Sequence, residues 1–416
     1  MVLRLDTAGW VERETTRLAT DRPRTFAVLS WLWKRPAAVL VPLAVLGAVA
    51  VNAGGDGGDG DLFRTAGLAM LRGNPLNVFS DPTLQIGPLY LLMVGAVSVV
   101  AEALGVSAML LTCAVEATGL ILLTLLATRS AIRTMLPGRA DEAAQWAVGA
   151  TMILGGTLFN ALVFGHPEEL AVGLLLGIAA FQARRGQAGR AGLLVGLATG
   201  LKVWALTGAA VVLLARRPRA VLLGVVLAAT VVLVTYGPFL LWGDTRTFDF
   251  RWSAQLAGPF TWLVAATGWS DWTVRLVQGA AAGTAGALVA LRARSHPLST
   301  PIAAVAVRLL LDPLRIDYYW SPLIVLLIVW VWSHPADAVR RWRAPSLLLA
   351  PLFVVAPSIV SPASLSLVGS VLLVAVVALV WVGDGGHAQP VTSYTAAVPP
   401  ESTRRTPFAG ADRRSI

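Results

Sequence analysis

Residues 37–61, AAVLVPLAVLGAVAVNAGGDGGDGD, run from an apolar segment of membrane-spanning length directly into a stretch of glycine and aspartate. About 17 to 25 such residues let a helix cross the hydrocarbon core. The acids that follow, Asp56, Asp59 and Asp61, are therefore delivered to one membrane surface at the mouth of a helix. Glycine removes side-chain bulk, so this backbone can turn tightly and bring carboxylates close to a ligand. The next residues, DLFRTAGLAMLRGNPLNVFSDP, take up a helical pattern. Leu62, Ala66, Ala69 and Met70 share one face, and Gly73 ends it. Asp61 lies near that helix's N-terminus, where a carboxylate is favoured. One N-cap needs one acid, and here there are three.

Outward from this stretch the pattern repeats. Of 416 residues, 56% are hydrophobic and only 13% charged, against roughly 25% charged in an average soluble domain. Apolar segments lie near 37–53, 86–104, 108–128, 143–164, 170–183, 191–215, 220–241, 275–291, 300–312, 319–333, 345–358 and 364–382. The fold class is all-α, a polytopic transmembrane helix bundle. Cys113, the single cysteine, lies within an apolar run and excludes an intrachain disulfide. The net charge of +10 comes from short basic clusters between apolar segments, a topology signal rather than a nucleic-acid surface.

Those clusters fix the expected orientation. They lie at Lys34 and Arg35; Arg129, Arg133 and Arg139; Arg184, Arg185 and Arg190; Arg216, Arg217 and Arg219; Arg292 and Arg294; Arg340, Arg341 and Arg343; and in the tail. All fall on the cytoplasmic side if two segments are not simple spans. Segment 86–104, with Pro88 and Glu102, is then a helix in the outer interface or a re-entrant one. Segment 191–215 is a hairpin of two short helices broken at GLKVW. The result is about twelve passes in a plasma membrane, with both termini cytoplasmic. Residues 1–36 form a cytoplasmic N-terminal segment, 37–383 the membrane domain and 384–416 a disordered cytoplasmic tail.

On this topology the chemically interesting residues face outward. In GHPEEL, Pro167 suits a first helical position and Glu168 and Glu169 suit the first turn. His166 is left over, either structural or ligand-binding. Lys202, in GLATGLKVW, costs about 2.5 to 3.5 kcal/mol if it reaches the bilayer centre, so it lines a cavity, meets an anion or snorkels to the interface. In AVRLLLDPLRIDYYWSPL, Arg308 and Asp312 are four apart and can pair on a helix. Pro313 then opens the backbone and Arg315 points elsewhere. A guanidinium binds phosphate oxygens, and Tyr318, Tyr319 and Trp320 can stack on sugar or isoprenoid. Loop 243–274 carries acids, arginines and tryptophans suited to an interface or to a roof over an acceptor. There is no zinc spacing, Walker loop, GxSxG or HExxH.

With the acid after the first span, the GHPEEL turn and the AGLLVGLATGLKVW segment in this order, the chain resembles the GT-C superfamily of integral-membrane glycosyltransferases. It is most similar to the actinobacterial polyprenol-phosphate-mannose-dependent α-mannosyltransferase branch. The resemblance implies a polyprenyl-phosphate-linked mannose or arabinofuranose as donor, a glycolipid or glycan acceptor, and the lipid bilayer as the third partner. It makes an outer aspartate the general base, Asp61 first and Asp59 next. Lys202, Arg315 and Arg308 become phosphate contacts, and His166, Glu168, Glu169, Tyr318 and Tyr319 substrate-binding residues. No cofactor is required; some relatives use a divalent ion, which Asp59 with Asp61 could hold weakly. A transporter or lipid flippase would also carry buried cations, but with inverted repeats and polar groups on both sides of its site. In a noncatalytic scaffold the outer acids would be incidental.

Overall fold

The computed structural model describes residues 7–53, 58–73, 75–247, 249, 264–292, 296–313 and 316–383, and among these the regular structure is entirely helical. In chain order the helices are α1 (Thr7–Asp21), α2 (Pro23–Trp33), α3 (Ala37–Asn52), α4 (Gly60–Arg72), α5 (Pro88–Leu104), α6 (Ala108–Met135), α7 (Glu142–Leu154), α8 (Thr157–Val163), α9 (Pro167–Arg184) and α10 (Ala188–Leu201). A 3-10 segment, Val203–Ala215, leads into α11 (Pro218–Trp242), α12 (Asp271–Arg292) and α13 (Ser299–Leu310). After a 3-10 turn at Asp317–Trp320 come α14 (Ser321–Ser333), α15 (Leu349–Ile359) and α16 (Pro362–Gly383).

Among the described residues, α6, α11, α12 and the Ser364–Val382 part of α16 are long and apolar enough to cross a membrane. The bent pairs α2 with α3, at 71°, and α7 with α8, at 43°, raise this set to six if each is one span. The sequence reads 143–164 as one run. The structure breaks it at Gly155 and Gly156, the latter at φ +78°.

α9 is the central helix, buried along most of its length and packed against α6, α10, α14 and the Val203–Ala215 segment. Leu170, Leu174, Leu176 and Phe181 anchor it in the core. A helix apolar all round belongs in such an interior. The hairpin expected at 191–215 forms around Lys202. Gly224 of α11 touches both ends of it: a side-chain carbon there would lie 2.8 Å from the Ala188 carbonyl and 3.4 Å from Val212.

The segment after α3 departs from expectation in one respect. α4 does run from Gly60 to Arg72 and ends at Gly73. Its buried face, however, is Phe63, Gly67 and Met70, whereas Leu62 is exposed. The cause is a close backbone crossing: a Cβ on Gly67 would lie 2.9 Å from Gly95 Cα of α5. α5 is a 17-residue helix with Pro88 in its first turn. It starts against the hairpin break, where Gly87 N donates to the Leu201 carbonyl at 2.9 Å.

Candidate active site

Two loops meet above α9. The Asp59 amide donates to the Phe164 carbonyl at 3.3 Å, and the approach is close enough to require glycine on both sides. Gly165 is at φ +75°, and a Cβ there would lie 3.0 Å from Asp59 N; Gly58 is at φ +52° against Phe164. Both conformations favour glycine. Asp59 occupies the N-cap position of α4, yet its carboxylate makes no capping bond. It reaches across to His166 instead.

The His166 ring lies between two acids, with Nε2 2.9 Å from Asp59 Oδ2 and Nδ1 2.8 Å from Glu168 Oε1. An imidazole donates from both nitrogens only when protonated. Burial alone would lower its pKa, but the Glu168 charge and the bonds to both carboxylates outweigh that and raise it above the ordinary histidine value. In return the His166 bond holds Asp59 below its ordinary value, against partial burial. The ring is fixed by stacking on Tyr318, with centroids 4.2 Å apart, and by the edge of Phe63 at 5.3 Å.

Glu168 Oε1 also accepts from Lys202 Nζ at 2.7 Å, so one oxygen serves two cations. Lys202 bridges on to Glu169 Oε1 at 2.9 Å. Glu169 Oε2 faces Arg308 Nη1 at 3.8 Å, and Arg308 Nη2 lies 3.6 Å from Asp312. Gln278 Nε2 donates to Asp312 at 3.0 Å and Arg275 does so at 3.3 Å. Buried charge in a low dielectric survives only when paired. This row of alternating sign satisfies that condition from Asp59 to Arg275.

The cationic end of the row opens into a cavity of about 530 Å³. Lys202, Arg275, Arg308 and Gln278 line it with Trp204, Tyr236, Trp272 and Tyr319. Arg308 lies over the rings of Trp204 at 4.3 Å and Tyr319 at 4.8 Å. Its Nη1 is buried and has no hydrogen-bond partner among the described residues. Cations that converge on an aromatic-walled pocket suit an anion joined to a ring or an apolar chain.

Of the residues expected to contact phosphate or substrate, Lys202, Arg308 and Tyr319 line this one cavity. Asp59 joins the network. Asp61 does not: its carboxylate pairs with Arg64 on α4, and its side chain is 70% exposed. His166, Glu168 and Glu169 were expected to bind substrate, but they are buried, engage neighbouring protein charges, and do not line the cavity. Tyr318 stacks on His166 rather than facing the cavity. Arg315, Asp56, Arg294, the 251–263 part of the outer loop and the tail from 384 lie outside the described residues. Among the described residues no group of three or more His, Cys, Asp or Glu side chains could hold a metal, and Asp59 and Asp61 turn to different cations.

Arg275, Gln278 and Tyr236 escape the sequence reading, whereas Trp272 belongs to the loop read as an interface or a roof over an acceptor and Trp204 to the GLKVW break. The available signal was a spacing: Arg275 and Gln278, three apart at the start of an apolar helix, present polar groups on one face. They meet the face carrying Arg308 and Asp312.

The chain is thus an all-helical bundle with helices of membrane-spanning length and a cavity in which cations meet aromatic rings. The sequence profile described as glycosyltransferase family 87 matches residues 83–313, more than half of the chain, and the chain belongs to that family. It is a membrane glycosyltransferase. The match spans His166, Glu168, Glu169, Lys202, Arg275 and Arg308, whereas Asp59 and Asp61 precede it. No curated protein and no solved structure matches the chain.

Proposed function

We propose that this glycosyltransferase moves a sugar, mannose in the first place or arabinofuranose, from a polyprenyl-phosphate donor to a cell-envelope glycolipid or glycan. The reaction takes place on the extracytoplasmic face of a plasma-membrane protein with about twelve passes and cytoplasmic termini. The observation that carries this reading is the cavity where Lys202, Arg275 and Arg308 converge among aromatic walls, joined by a row of ion pairs to the half-exposed Asp59. The donor phosphate meets the three cations, and the sugar extends toward Asp59.

In the reaction the acceptor oxygen attacks the anomeric carbon as the bond from that carbon to the phosphate oxygen breaks. The bonding pair leaves with the phosphate, whose added charge the cations stabilise. The acceptor proton passes to Asp59 on the opposite face of the sugar, so the transfer is a single displacement with inversion. Asp59 replaces Asp61 as first choice for the base, because Asp61 is committed to Arg64. The lipid tail contributes binding energy remote from the reacting carbon.

The test is transfer by the purified protein in lipid with a panel of radiolabelled polyprenyl-phosphate sugars. Transfer from a mannosyl or arabinosyl donor, with inverted product, is the expected result. Transfer from nucleotide sugars alone would refute the reading.

A further inference from the structure

Glu168 Oε1 is shared: His166 Nδ1 approaches it at 2.8 Å and Lys202 Nζ at 2.7 Å. Lys202 also lines the cavity, and His166 also holds Asp59 at 2.9 Å. Two donors on one carboxylate oxygen compete for its charge. We propose that this shared oxygen is a coupling element: an anion bound at Lys202 loosens the lysine's hold on Glu168, draws His166 toward Glu168 at the expense of its bond to Asp59, and with Lys202 offset makes Asp59 a stronger base when the donor is in place. The inference rests on the reading of the cavity as the donor-phosphate site.

The sign follows from electrostatics. The charged and titratable groups facing His166 are Asp59 from the first loop, Glu168 from α9, Lys202 from the hairpin break and Tyr318 from the 3-10 turn. Of these, Lys202 disfavours the imidazolium, and it also stabilises the Asp59 carboxylate. An anion on Lys202 offsets both effects. His166 then holds its proton more firmly, and the proton affinity of Asp59 rises. The leaving phosphate gains charge as the glycosidic bond breaks, so the base strengthens in step with that cleavage. His166 and Glu168 are positioning residues in this scheme. They touch Asp59 and Lys202 rather than the sugar.

The chain has only four histidines, so ring-nitrogen NMR of histidine-labelled protein in nanodiscs can follow His166, assigned by its loss in His166→Gln. Burial keeps His296 well below the ordinary value and His334 at about 4, which makes them internal controls. Polyprenyl monophosphate is the probe, and its phosphorus signal reports binding independently. The expected result is that bound lipid raises the His166 titration midpoint by about half a unit or more, leaves the controls unmoved, and gives a clearly smaller rise in Glu168→Gln, where only the through-space effect of Lys202 remains. Bound lipid with an unchanged midpoint in the native protein overturns the coupling alone. No lipid binding overturns the donor reading, and the coupling with it. If Glu168→Gln does not fold, the native titration still decides.

Discussion

Asp59 and Asp61 are two residues apart and chemically identical, yet they have different partners. Asp59 meets an imidazolium across a loop contact, and Asp61 meets Arg64 one helical turn along. Asp59→Asn should therefore reduce transfer by about 10²- to 10⁴-fold, the usual contribution of a general base. Asp61→Asn should stay within about threefold of the native rate at equal folded protein, since Asp61 itself is largely exposed and its loss falls on the buried Arg64, as a stability cost, rather than on the Asp59–His166 contact. Steady-state rates of the two variants at equal folded protein distinguish them. The pH dependence has two limbs. Asp59 is lowered, so its contribution is complete above the ordinary carboxylate value of about 3.9 and is lost as pH falls through the lower folded value. His166 is raised, so its contribution is complete below about 6.5 and is lost as pH rises through the higher folded value. In His166→Gln the acid limb should move up in pH and the His166 limb should vanish; an unaltered rate profile would remove His166 from the mechanism. The sequence offers Asp56, Asp59 and Asp61 as candidate acids but does not separate them. The choice depends on a contact across 107 residues that no local pattern encodes.

At the scale of elements, short loops position the site. α3 ends and α4 begins a few residues apart, and the α8–α9 turn lies against that junction through Gly165. Gly165→Ala forces an alanine into φ +75° and places its Cβ 3.0 Å from Asp59 N and C. The conformational strain alone costs on the order of 1 to 3 kcal/mol, and the clash separates Asp59 from His166. Gly186→Ala is the matched control, at φ +79° with nothing within 4 Å of its Cβ. The expected outcome is a lowered melting temperature in both variants and a loss of turnover only at Gly165, read by thermal melts and initial rates in the same detergent. The break at Lys202 was legible, because arginine clusters flank 191–215 at both ends and can share one side only if the segment turns back on itself. The buried stripe of α4 was legible only in part: Met70 is buried as its period predicts, but the Gly67–Gly95 crossing turns Phe63 inward in place of Leu62. Helical period gives the existence of a face, and tertiary contact selects which one.

For the whole molecule, the charge row only makes sense if its acidic end and its cavity share an aqueous side. Asp59, the most exposed member, lies beyond one end of α9, and the basic residues Arg184 and Arg185 lie at the other. A central helix buried on nearly all sides thus separates an end rich in acids from an end rich in arginine. This is the asymmetry expected when the second end is retained in the cytoplasm. The helix inventory alone does not fix it, since many apolar helices are too short to count as spans by themselves. Accessibility can decide. Cys113 is buried, so its replacement by serine gives a background without cysteine for single reporters. Ser80→Cys lies at the exposed end of a 3-10 segment, Pro75–Ser80, and Gln187→Cys in the exposed turn before α10. A membrane-impermeant maleimide added to intact cells should modify the cysteine at 80 at once, and the one at 187 only after permeabilisation. The opposite pattern would place Asp59 and the cavity in the cytoplasm, where a donor presented at the outer leaflet cannot reach them.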